Sequence, residues 1–183
     1  MQSKTDKNHR RVRIPDYAAM IALAFIFSYL ESLIPLPLGI PGIKLGLANL
    51  VVVLVIYHLG NKAAVVVGIV RIILVGFSFG NLSAMLYSLA GGILSLCVMI
   101  LLKQTGKFHV IGVSLAGGVF HNLGQLLVAV WVLDTGKLVY YAPVLMIAGV
   151  VTGGLIGIAA NGMQPVIQKW GRIMDAGSVK KEK

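Results

Sequence analysis

The sequence predicts an all-α, polytopic membrane protein, a bundle of six transmembrane helices. Composition points there first: 57% of the 183 residues are hydrophobic and only 12% are charged, against about 25% charged in soluble domains. The mean hydropathy is +0.89. The apolar residues also lie in separate long runs, most of them near the roughly 20 residues that cross a hydrocarbon layer about 30 Å thick. Finally, the basic residues gather between alternate runs, as they do in multi-pass chains.

The first run, residues 16–35, follows a basic N-tail of residues 1–15. A cleaved signal peptide is the competing reading. However, the run extends from Tyr17 to about Ile34, longer than a signal core, and no small-x-small cleavage site precedes the prolines. It is expected to be a membrane helix. Pro35, Pro37 and Pro41, with Gly39 and Gly42, then forbid a regular helix to about Gly42. Irregular backbone at that depth must be buried in protein or line a wet cavity, because lipid cannot satisfy its amides.

The second and third helices, residues 46–60 and 63–79, are short and joined by a tight Gly60-Asn61-Lys62 turn. The fourth, 82–103, follows Phe79-Gly80-Asn81 directly, so these first four helices are expected to pack as near-antiparallel hairpins. The fifth and sixth cover 109–132 and 140–162. The organisation is therefore a basic N-tail (1–15), one membrane domain (16–165) and a basic C-tail (166–183).

With the N-terminus inside, thirteen of the sixteen Lys and Arg fall on the cytoplasmic side and only Lys44 and Lys137 outside; Arg71 lies within a span. The positive-inside rule then places both termini in the cytoplasm. Tyr17, Tyr57 and Trp170 fall at the inner boundary and Trp131, Tyr140 and Tyr141 at the outer one, as in membrane aromatic belts. The net charge of +10 sits mainly in the two tails, where it meets anionic lipid headgroups. No basic groove with stacking aromatics accompanies it, so nucleic acid is not an expected partner. The lone Cys97 excludes an intrachain disulfide and reads as a small packing residue.

Helix six carries GVVTGGLIG, with Gly149, Gly153 and Gly157 on one face. Such a stripe allows close approach of another helix, here expected within the chain. Helix four presents Asn81, Met85, Ser88, Gly92 and Ser95 on a second small or polar face. Helix one has an AxxxA pair, Ala18 and Ala22. Glu31 is nine residues beyond Ala22 and points about 180° away at 100° per residue.

Polar residues within the spans are the candidate functional groups, since an unpaired charge in hydrocarbon costs at least about 2.5–3.5 kcal/mol. Arg71 lies near the middle of helix three and needs an acceptor: Glu31 in a standing ion pair, backbone carbonyls, or an anionic ligand. His121 and Gln125 are one turn apart on helix five, with Asn122 on an adjacent flank. They read either as helix connectors or as a polar pocket. No HExxH, CxxC, phosphate-binding GxxxxGK[ST] or aspartate-rich motif occurs. Metal binding, ATP hydrolysis and self-contained prenyl transfer are therefore not expected, nor is a cofactor or an enzyme activity.

Three stretches, PGIKLGLANL, RIILVGFSFGNLSAMLYSLAGG and FHNLGQL, resemble the small bacterial membrane family called Gx transporters, also known as heptaprenyl diphosphate synthase component I. The likeness covers about residues 16–165. The first name goes with a similarity to substrate-binding (S) components of energy-coupling-factor transporters. That similarity implies six helices in the bacterial cytoplasmic membrane, an externally opening ligand site, and a lid formed by the loop between helices one and two. It also implies docking through an AxxxA face, here Ala18 and Ala22, onto a coupling protein powered by separate ATPases. The second name implies an accessory subunit of a polyprenyl diphosphate synthase in isoprenoid or quinone synthesis.

The site expected on this basis comprises Glu31, Lys44, Asn49, Arg71, Asn81, His121, Asn122 and Gln125. Lys44 and Arg71 would hold an anionic group, with Glu31 balancing the arginine and the amides fixing orientation. Residues 39–46 would form the lid; a rigid re-entrant turn is the alternative.

Overall fold

The computed structural model describes residues 14–33 and 46–179. Six α-helices follow in order: α1 (Ile14–Leu33), α2 (Leu47–His58), α3 (Asn61–Ser78), α4 (Leu82–Gln104), α5 (Val110–Val132) and α6 (Ala142–Val179). A short 3₁₀ segment, Gly136–Tyr141, leads into α6. The described residues contain no strand, so the protein is an all-α membrane bundle.

Five helical segments are long and apolar enough to cross a membrane, and α2 is the exception. Its 12 residues extend only about 18 Å at 1.5 Å per residue. It is also the most enclosed helix, with every residue from Leu50 to Ile56 buried. A helix apolar on all sides belongs inside a bundle. Its neighbours are α1, α3 and α6, and its core side chains share one apolar cluster with Ala24, Val67, Met99, Val113 and Ala160.

The turns follow local chemistry. Gly46 and Gly60 adopt φ values of +76° and +95°, a region that favours glycine, at the starts of α2 and α3. Asn81 caps α4, its Oδ1 accepting from the Ala84 N–H at 2.7 Å. The C-terminal end of α2 is closed by a side chain from α4: Lys103 Nζ donates to Ile56 O and reaches Asn61 Oδ1 at 3.4 Å, lying 5.1 Å from the Tyr57 ring centroid.

The glycine stripe of α6 packs against α5 within the chain. A Cβ on Gly149, Gly153 or Gly157 would fall 2.8, 2.6 or 2.8 Å from α5 backbone atoms. The α4–α5 seam is as close, with Gly91 against His121 O and Gly124 against Ala90 O. Between α3 and α4 the glycines instead face side chains: Gly92 meets Ile72 and Gly76 meets Met85.

The sixth helix departs from its expected end near residue 162. It continues through Pro165 to Val179, 38 residues in all, or about 57 Å. The hydropathy drop marks where lipid would end, and a helix held by its own hydrogen bonds can continue beyond it. The proline removes one donor without ending the element.

Candidate functional site: a polar cavity among the six helices

One end of the bundle gathers the last turns of α1, the start of α2, the second half of α3 and the start of α4. The orientation expected from the basic residues would turn this end to the outside. A cavity of about 340 Å³ opens among these elements and runs to the middle of α5 and α6. Its volume lies at the lower end of small-molecule sites, about 300–1,000 Å³.

Among the expected site residues, Glu31, Asn49, Arg71, Asn81, His121, Asn122 and Gln125 all line this cavity. Lys44, and residues 39–45 of the expected lid, lie outside the described residues. Ala18 and Ala22 are exposed on α1, whereas Ala24 and Ser28 are buried and Glu31 faces the cavity.

The charged groups come from α1 and α3. Arg71 Nη1 lies 3.4 Å from Ser28 Oγ, a long hydrogen bond, while Ser28 itself donates to Ala24 O at 2.9 Å. Arg71 Nε is buried and has no partner among the described residues. Glu31 is near enough to act on the guanidinium electrostatically. Its Oε1, however, accepts the Gly46 N–H at 2.5 Å, which ties the end of α1 to the start of α2. The standing Arg71–Glu31 ion pair, one of the acceptors considered for Arg71, does not form. Arg71 therefore presents a cation to the cavity with its hydrogen-bonding capacity largely unfilled.

The opposite wall is neutral and polar. Gln125 Nε2 lies 3.2 Å from His121 Nε2 across one turn of α5. Asn122 Nδ2 donates to Leu145 O on α6 at 2.8 Å, so this amide connects helices as well as lining the cavity. Deeper in, Ser95 donates to Gly117 O at 2.8 Å and Ser114 to Gly153 O at 2.7 Å. Thr152 Oγ1 bonds back to Ala148 O at 2.9 Å. Met85, Met99 and Phe79 supply apolar surface. Phe79 also packs on Phe25 and Tyr29, each at 5.6 Å between ring centroids.

Sequence reasoning did not single out Ser28, Thr152, Phe79 or Met99. Ser28 carried a usable signal, since it lies three residues before Glu31 and so on a neighbouring part of the same face. Asn81 was expected on the polar face of helix four and as a ligand contact, but its oxygen is engaged in capping α4 and its amide nitrogen is what remains. No group of three or more His, Cys, Asp or Glu is placed to hold a metal ion among the described residues.

A family model described as heptaprenyl diphosphate synthase component I matches residues 20–163. No curated protein and no solved structure matches the chain. The matched segment begins within α1, ends just before Pro165 of α6, and includes every described residue of the cavity wall. By that match the chain belongs to the heptaprenyl diphosphate synthase component I family.

Proposed function

We propose that the protein is a membrane-embedded solute-binding subunit, resembling an S component, that captures a small anionic solute in the six-helix cavity. The solute enters from outside and is delivered inward with a transmembrane coupling protein and separate ATPase subunits. One observation carries the binding reading: the Arg71 guanidinium borders the cavity with a buried Nε unmet by any described acceptor. A buried cation without full hydrogen bonding is costly, and a carboxylate or phosphate oxygen is the group that offsets it best. Asn49, Asn81, His121, Asn122 and Gln125 orient the solute, Glu31 holds the loop end and balances the charge, and Lys44 supplies a second cation. The exposed face containing Ala18 and Ala22, turned away from Glu31, is the proposed contact for the coupling protein.

Native mass spectrometry of gently extracted protein tests this reading. A small molecule is expected to remain bound to the wild type and to be lost from Arg71→Ala. Affinity for that molecule should fall at least about tenfold, the scale of one charge-assisted hydrogen bond. Retention and uptake that do not depend on Arg71 would sink the assignment.

The family match favours a second reading, an accessory membrane subunit of a polyprenyl diphosphate synthase. In both readings the chain itself is not the catalyst. Co-purification separates them: coupling-protein and ATPase subunits favour transport, and a soluble prenyl synthase favours the accessory role.

A further inference from the structure

The polar groups around the cavity differ in what they still offer a ligand. At the charged end Arg71 can only donate, and its Nε is unmet by the described residues. Along α5 the remaining capacity has the opposite sense. Asn122 Nδ2 donates to Leu145 O, which fixes the orientation of the amide, because a flipped one would set oxygen against oxygen. Its Oδ1 is left without a donor among the described residues. Gln125 Nε2 lies 3.2 Å from His121 Nε2; in this orientation of the amide the imidazole nitrogen accepts, and Gln125 Oε1 meets no donor among the described residues. Ser95 and Ser114 each give their hydroxyl proton to a carbonyl of the adjoining helix, so they too present only lone pairs. The cavity thus has its cationic donor at one end, and lone pairs of Asn122, Ser95 and Ser114 along its neutral wall.

Charge narrows the class further. Arg71 and Glu31 are the ionised side chains among the described lining residues, and they offset one another. Even with one further cation, a multiply charged diphosphate would keep part of its charge uncompensated in this space. Its prenyl tail would also leave the α5 acceptors desolvated without partners. Resting on the solute-binding reading above, we propose that the cavity selects a small polar molecule with at most one negative charge. Its N–H or O–H donors lie away from the anionic group, and the cavity rejects prenyl diphosphates.

The test uses the full chain in nanodiscs. The molecule released by heating is identified by accurate mass and fragmentation and then titrated back onto emptied protein. Geranyl diphosphate and inorganic pyrophosphate serve as competitor probes. The released molecule is expected to carry at most one negative charge and at least one N–H or O–H, and neither probe displaces it. Gln125→Met, which keeps the side-chain length and removes the acceptor, should weaken its binding about tenfold. Gln125→Glu, which keeps an acceptor oxygen, should recover most of that loss. Release of a prenyl diphosphate, displacement by either probe, or Gln125→Met binding as the wild type overturns the selectivity while Arg71-dependent binding leaves solute capture standing. Protein that retains nothing and responds to neither Arg71→Ala nor Gln125→Met overturns both.

Discussion

A guanidinium in the apolar middle of α3 meets only lipid or the cavity, and the cavity is where Ser28, Glu31 and the polar wall of α5 wait for it. Because Arg71 has a planar fork of donors, Arg71→Lys keeps the charge but loses bidentate geometry. Its affinity for the retained solute is expected to fall between wild type and Arg71→Ala, as read by titration in nanodiscs. At the opposite end, Lys103 closes the C-terminus of α2 through Ile56 O. Lys103→Met should lower unfolding stability by about 1–3 kcal/mol, the cost of leaving a part-buried carbonyl unmet; an unchanged denaturation midpoint would remove this role. Most of the cavity's polar residues were legible because polar side chains in apolar helices demand an explanation. Ser28 and Thr152 were not, since a lone hydroxyl can always bond back to its own helix. The capping role of Asn81 was hidden for a related reason: an asparagine before a helix serves the backbone and a ligand with different atoms of one amide.

At the scale of elements, apolar runs and the turn residues between them placed all six helices, and their ends scattered by a few residues except for α6. That helix was read as ending where hydropathy falls, which is a statement about lipid and not about backbone hydrogen bonds. The glycine stripe was legible as a close-packing face, but not which helix it would meet. Backbone-to-backbone contact with α5 makes the stripe sensitive to size. Gly153→Leu places a side chain where Ser114 O lies 2.6 Å from the first carbon, and should destabilise the bundle by at least about 1–3 kcal/mol. Thermal unfolding in detergent measures this, with Gly162→Leu, at a position open to its surroundings, expected to change little.

For the whole molecule, the orientation argued from thirteen inner and two outer basic residues has a direct check. In a Cys97→Ser background, Lys137→Cys should react with a membrane-impermeant maleimide on intact cells, and Lys62→Cys only after lysis. The reverse pattern would invert the topology and turn the cavity toward the cytoplasm. Hydropathy makes the bundle legible, and charge supplies an expectation for its sense of insertion. The cavity itself was beyond them, because its shape depends on which faces of six helices converge. The packing of α4, α5 and α6 has a mechanical consequence. Where peptide planes touch directly there is no layer of deformable side chains to yield, whereas α3 meets α4 through Ile72 and Met85, and α1 is largely exposed. The chamber therefore has one stiff wall and one compliant wall. A change in its volume must be taken up on the side of α1 to α3, and hydrogen exchange should be faster in α1 than in α4 to α6.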